Sequence, residues 1–223
     1  MTRGLLFDFD GLLVDTEGPA YRSWQELYVE HGHELALEEW VANVGTLGDP
    51  FDAHAHLERL TGRTIDRQTL VARRLARERE LAGAEELREG VAEYLETAAE
   101  RGLLAAIVSS ASERWVRDHI GRLAVEHVWA CVVCANGDPA RAKPAPDLYL
   151  EALDTLGLAP GEAVAFEDSL NGVRAARSAG IFTVAVPNQV TVGLELDEAD
   201  LVVESLARLP LDELLKRVEA EAA

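Results

Sequence analysis

Lysine is almost missing from this chain. Of its 21 basic residues only Lys143 and Lys216 are lysines, and 40 acidic residues leave a formal charge of -19. A surface this acidic is repelled by nucleic acid and by anionic membranes, so neither is an expected partner. An anionic substrate would have to be met by local positive charge, from a metal ion or a few placed cations. Cysteine is as scarce. Cys131 and Cys134 form a C-x-x-C, but on the strand predicted by their apolar surroundings, residues three apart face opposite sides. That geometry suits neither a disulfide nor a shared metal, so buried thiols are expected. No apolar run approaches the length of a membrane span, and the N-terminus lacks a charged-then-apolar leader pattern, so a cytoplasmic protein is expected. Repeats and low-complexity linkers are absent too. A hydrophobic fraction of 48% and a charged fraction of 27% are those of a folded globular protein, not a disordered chain.

What the chain does have begins at Leu5-Leu6-Phe7-Asp8-Phe9-Asp10-Gly11. An apolar run interrupted by two carboxylates and stopped by glycine reads as a buried strand of a parallel sheet. Alternation along that strand puts Asp8 and Asp10 on one side, roughly 7 Å apart. Two acids at the end of a hydrophobic strand are costly unless compensated. A metal, a cationic partner or a catalytic site would compensate them, and so would a role in capping the next turn. Gly18-Pro19 then reads as a breaker pair, and from about residue 20 to 82 the pattern is helical, with helices expected at 37–44, 50–60 and 66–82. Arg73, Arg74, Arg77 and Arg79 alternate with Glu78 and Glu80, the pattern of a solvated face with local ion pairs, with a phosphate-grasping role as the alternative. His54 and His56 are two apart on a predicted helix, so surface or packing roles are expected for them and not a shared metal.

After Gly83 the pattern changes to alternating helices and strands. Strands are expected at 103–108, 128–134, 163–166, 181–186 and 201–203, and helices at 91–101, 113–122, 146–156, 171–179 and from 211 onward. Such alternation predicts an α/β fold, a Rossmann-like parallel sheet with helices on both faces. The opening strand completes that sheet, so residues 1–16 and 86–223 are expected to form the core and 17–85 an inserted all-helical cap. In open α/β sheets ligands bind beyond the carboxyl ends of the strands, where this insert would lie over the site.

Those strand ends carry the chemistry. Strand 103–108 runs into Ser109-Ser110, and strand 163–166 into Glu167-Asp168-Ser169. Between them lies Lys143-Pro144-Ala145-Pro146-Asp147. Ser109 could cap the helix that follows it, and Glu167 and Asp168 the next one. Taken together with Asp8, Asp10 and Lys143, they match a divalent-metal site that receives a phosphate.

In these four ordered motifs, which span nearly the whole chain, the sequence resembles the haloacid-dehalogenase-like hydrolase superfamily. Within it, the resemblance is to the subgroup of β-phosphoglucomutase and small sugar-phosphate phosphatases. The resemblance implies that Asp8 is the nucleophile, forming an aspartyl-phosphate, and that Asp10 protonates the leaving oxygen and then activates water. It also implies Mg²⁺ held by Asp8, the backbone carbonyl of Asp10 and Asp168, with Glu167 acting directly or through water, and a phosphoryl group bound by Ser109 and Lys143. Asp10 sets the chain apart from true dehalogenases, which lack the second aspartate. An insert without lysine removes the phosphonate-cleaving option. Ala20 stands where the mutase has a histidine, and Gly45-Thr46-Leu47-Gly48 lacks the mutase's phosphate-binding arginine. A phosphatase of a small phosphorylated metabolite is therefore expected, with a sugar phosphomutase as the alternative.

Overall fold

The N-terminal apolar run forms β1 (Gly4–Phe7), all four residues of which are buried. The structure, a computed structural model, describes residues 1–44 and 50–221; the Gly45–Gly48 stretch compared above lies outside them. Four helices follow β1: α1 (Glu17–Glu30), α2 (Leu37–Trp40), α3 (Ala53–Thr61) and α4 (Arg67–Ala82). Then come α5 (Val91–Glu100), β2 (Leu104–Ser109), α6 (Glu113–Arg122), β3 (Cys131–Cys134), α7 (Asp147–Leu156), β4 (Ala163–Glu167), α8 (Leu170–Ser178), β5 (Phe182–Ala185), β6 (Leu201–Val202) and α9 (Leu211–Glu221).

Among the described residues the six strands form one sheet in the order β3-β2-β1-β4-β5-β6, with every neighbouring pair parallel. Side-chain alternation divides its core in two. Leu5 and Phe7 face a cluster completed by α5, α6 and α9, while Leu6 faces one completed by α7 and α8. Phe7 stacks on Phe166 of β4 at 4.7 Å and meets Trp129 edge-on at 5.9 Å. Each such buried ring contributes on the order of 1.5–3 kcal/mol. The two thiols are free and fall in opposite clusters, Cys134 in the first and Cys131 against the second, as a strand spacing of three requires.

α1 to α4 pack around an apolar cluster of their own, centred on Trp24, Tyr28, Trp40 and Leu57. His54 and His56 belong to this packing: Nε2 of His54 bonds the carbonyl of Ile65 at 2.7 Å, and His56 lies against Phe51 and Tyr28. The chain leaves the sheet and returns to it side by side, with Val14 bridged to Leu87 and the Arg88 N–H donating to the Leu13 carbonyl at 2.9 Å.

Two expectations are corrected. Gly18-Pro19 does not break the chain but lies in the first turn of α1, where proline's missing N–H would have no intrahelical partner anyway. The third strand begins at Cys131, not 128, because residues 126–128 form a 3-10 turn after Ala124, which takes a positive φ of 57°.

Candidate active site

Phe7 lies level with Ile107 of β2 and Phe166 of β4. One residue further along the same three strands stand Asp8, Val108 and Glu167, so a single row across the sheet brings two carboxylates and a carbonyl together. Lys143 reaches all three. Its ammonium donates to Asp8, lies 2.6 Å from Glu167 Oε1, and donates to the Val108 carbonyl at 2.7 Å. Glu167 also accepts from the buried Tyr149 hydroxyl. The strand order reverses between β1 and β4, the switch point at which open α/β sheets place their ligands.

The pairing of β1 ends at Phe7, although the Asp8 N–H still donates to the Phe166 carbonyl at 2.9 Å. The chain then turns, Leu13 N–H bonding back to Phe9, so Asp10 sits on a loop and not on the regular strand expected from alternation. The Asp10 carboxylate accepts at Oδ1 from the Thr16 hydroxyl (2.9 Å) and the Trp115 indole N–H (2.8 Å), and at Oδ2 from Ser109 (3.3 Å). Thr16 precedes α1, yet its side chain makes no capping bond there, the hydroxyl being engaged with Asp10 instead.

The capping roles considered for Ser109, Glu167 and Asp168 belong to other residues. Ser112 caps α6, accepting from the Trp115 N–H, and Ser169 caps α8, accepting from the Gly172 N–H at 3.2 Å. Asp168 instead accepts from the Asn188 amide at 2.7 Å, and the same amide group reaches the Gly11 carbonyl at 3.2 Å.

Asp8, Glu167 and Asp168 are all buried, and each offers an oxygen within 4.8 Å of the others. Burial, with Glu167 and Asp10 adding to it, pushes Asp8 up to about 8 despite Lys143 beside it. Burial and the charges of Asp8, Glu17 and Glu167 hold Asp168 well above the usual carboxylate range. Burial opposes the Lys143 ammonium, but Asp8 and Glu167 outweigh it and keep the lysine protonated. Oε2 of Glu167 is buried without a hydrogen-bond partner. Hard oxygens, excess negative charge and an orphaned oxygen fit a divalent cation. The Asp10 carboxylate, occupied by its three donors, is not one of the three groups.

These residues open onto a cleft of about 370 Å³. Its floor carries Asp8, Asp10, Ser109, Lys143 and Asp168; its opposite wall carries Glu17 and Ala20 of α1 and Leu75, Glu78 and Arg79 of α4. The arginine cluster therefore divides. Arg73 pairs with Glu30, and Arg77 with Glu26 and Glu80, as a solvated face would, whereas Arg74 forms a largely covered pair with Glu78 of the cleft wall and Arg79 faces the cleft. Burial, added to the charges of Asp10, Asp8, Glu78 and Asp15, lifts Glu17 to about 8.

All six candidate residues thus meet at one sheet edge, with Glu167 beneath the cleft floor. Thr16, Trp115, Tyr149 and Asn188 join them in the structure. Asn188 follows the end of β5 and could have been found by the strand-end rule that found the others. Trp115 and Tyr149 lie on helices, and nothing in their local sequence marks them.

A family model described as haloacid dehalogenase-like hydrolase matches residues 2–180. YhcW from Bacillus subtilis (strain 168) is 37% identical over 221 residues, covering 99% of this chain and 100% of its own. A phosphorylated carbohydrates phosphatase from Thermotoga maritima is 29% identical, covering 89% of this chain and 91% of its own. A crystal structure of CbbY from Rhodobacter sphaeroides in complex with phosphate superposes with a TM-score of 0.72 at 27% identity, covering 96% of this chain and 99% of that one. The chain belongs to the haloacid dehalogenase-like hydrolases. Within that family it is a phosphatase, a phosphoric monoester hydrolase acting on small phosphorylated metabolites.

Proposed function

We propose that this phosphatase is Mg²⁺-dependent and hydrolyses a sugar phosphate through an aspartyl-phosphate on Asp8, beneath a helical cap formed by residues 17–85. The observation that carries this reading is the Lys143 ammonium shared between Asp8 and Glu167, with Asp8 and Asp10 facing one cleft. Among the described residues, Asp8 is the only carboxylate at that edge that both faces the cleft and is held by a lysine. Its oxygen attacks phosphorus, while Asp10 delivers a proton to the departing alkoxide and then takes one from the attacking water. Ser109 offers its hydroxyl to the phosphoryl oxygens. The three N–H donors of Lys143 are already committed, so a phosphoryl oxygen would share the ammonium with Asp8.

Asp8, Asp168 and Glu167, with the Asp10 carbonyl, would hold Mg²⁺. When bound, it offsets the repulsion between this acid cluster and a phosphate dianion. On the opposite wall, the carboxyl groups of Glu17 and Glu78 suit hydroxyls of a sugar, in keeping with the Thermotoga relative's name.

Phosphate release from a panel of sugar phosphates, with and without chelator, tests the reading. Wild type should turn over several members only when Mg²⁺ is present, and Asp8→Asn should turn over none. Activity surviving either treatment overturns the mechanism. Isomerised monophosphate without phosphate release, in the presence of a bisphosphate primer, would instead identify a mutase.

A further inference from the structure

Two of the three donors on Asp10 converge on the same oxygen. The Thr16 hydroxyl is 2.9 Å and the Trp115 indole nitrogen 2.8 Å from Oδ1, whereas Oδ2 has only the Ser109 hydroxyl at 3.3 Å. That hydroxyl already accepts from the Ala111 N–H at 3.0 Å. A carboxyl proton placed on Oδ1 would point at two donors, one of which, the indole, cannot act as an acceptor. The proton therefore belongs on Oδ2.

The two donors also have different anchors. Thr16 stands at the head of α1 and belongs to the connection between sheet and helical unit. Trp115 lies in the first turn of α6, whose Val116 and Ile120 are buried in the core of the sheet. Its ring packs on His119, with centroids 4.2 Å apart, and His119 meets Phe9 edge-on at 5.7 Å. Phe9 is the residue between the two aspartates. Trp115 is thus braced against the segment whose carboxylate it holds, and this brace does not depend on where the helical unit sits.

We propose that Trp115 is a positioning residue for the acid–base step, holding Oδ1 of Asp10 so that Oδ2 faces the reacting oxygens. The proposal rests on the assignment of Asp10 as acid and base. In the first step the Asp8 oxygen–phosphorus bond forms as the phosphorus–alkoxide bond breaks, and the Oδ2 proton moves to the alkoxide, giving the free alcohol. In the second, water attacks phosphorus, its proton returns to Oδ2, and the bond to Asp8 breaks to release inorganic phosphate.

The test compares kcat/KM for phenyl phosphate, whose leaving group needs a proton, with that for 2,4-dinitrophenyl phosphate, whose leaving group does not. Trp115→Phe keeps an aromatic ring and removes the donor. It should lower kcat/KM for phenyl phosphate by about 10- to 100-fold, a share of what general acid catalysis supplies, and leave the dinitrophenyl ester within about twofold. Equal loss on both esters, or no loss, overturns the proposal. Asp10→Asn is run in parallel. If it hydrolyses phenyl phosphate like wild type, the acid–base assignment itself fails; if it shows the selective loss while Trp115→Phe does not, only the positioning role fails. Should Trp115→Phe not fold, the indole N–H region of the ¹H–¹⁵N spectrum decides. The chain has four tryptophans, and one indole signal should move upfield in Asp10→Asn. Four unmoved signals would overturn the contact.

Discussion

The Lys143 ammonium lies 2.6 Å from Oε1 of Glu167 and also donates to Asp8, so one cation serves two buried carboxylates on adjacent strands. Removing one partner of a buried ion pair leaves uncompensated charge, which costs about 3–5 kcal/mol. Lys143→Met should therefore lose stability of that order in urea unfolding and lose phosphatase turnover as well. Lys143→Arg should not restore activity, because a planar fork cannot direct three donors to a carbonyl and two carboxylates as an ammonium does.

Gly172 makes room for Glu167. A Cβ there would fall 1.7 Å from Glu167 Oε2, and neither the first turn of α8 nor the fully buried carboxylate has space to retreat. Gly172→Ala should destabilise the protein by about 1–3 kcal/mol, the scale of overpacking, and should impair turnover. Gly161→Ala, where a Cβ meets nothing within 4 Å, is the control and should be near neutral in the same unfolding assay.

Glu17 gives the pH dependence its sign. Its carboxyl ionises at an ordinary value of 4.5 and in the folded protein at about 8. Between those values the native state holds a proton that the unfolded chain has lost, so this group makes stability fall as pH rises. Glu17→Gln stays neutral throughout. In metal-free protein, the urea midpoint of the variant should gain on wild type as pH rises from about 4.5 to 8, with no further gain above that. A constant difference across this window would contradict the placement of Glu17 beside Asp8, Asp10 and Glu78 in the cleft.

Asn188 orients Asp168 through its amide at 2.7 Å. Loss of such an orienting partner typically lowers metal affinity 10- to 100-fold. Calorimetric titration of Asn188→Ala with Mg²⁺ should show a weakening on that scale, together with a loss of about 1–3 kcal/mol in unfolding of the metal-free protein, because the Asn188 amide oxygen also accepts from the Val190 and Thr191 N–H groups.

The sheet and four of the six candidate residues were legible for one reason. Apolar runs of strand length ending in charged or hydroxyl residues combine two signals, period and polarity, in the same few positions. Asp8, Ser109, Glu167 and Asp168 each carry both. Trp115 and Tyr149 carry neither, since on helices an aromatic residue that donates a hydrogen bond looks the same as one that fills the core. The division among the arginines was hidden for a related reason. Arg77 and Arg79 are two apart in sequence, but rotation of α4 sends one to Glu26 and the other to the cleft. Gly18-Pro19 misled because a proline reads as a break unless the helix start is known to lie just before it.

The bridge between Val14 and Leu87 has a consequence for how this architecture can diversify. To the sheet, everything from residue 15 to 86 is a loop whose ends already meet. The entropy of closing a loop grows only with the logarithm of its length, about 0.6 kcal/mol for each doubling. A shorter or longer cassette spliced in at those two points would change the stability of the strands little and leave the carboxylate row in register. The wall facing the cleft can therefore be exchanged while the Asp8–Glu167 row of the sheet is kept, and of the groups that hold Asp10 only Thr16 would leave with the cassette.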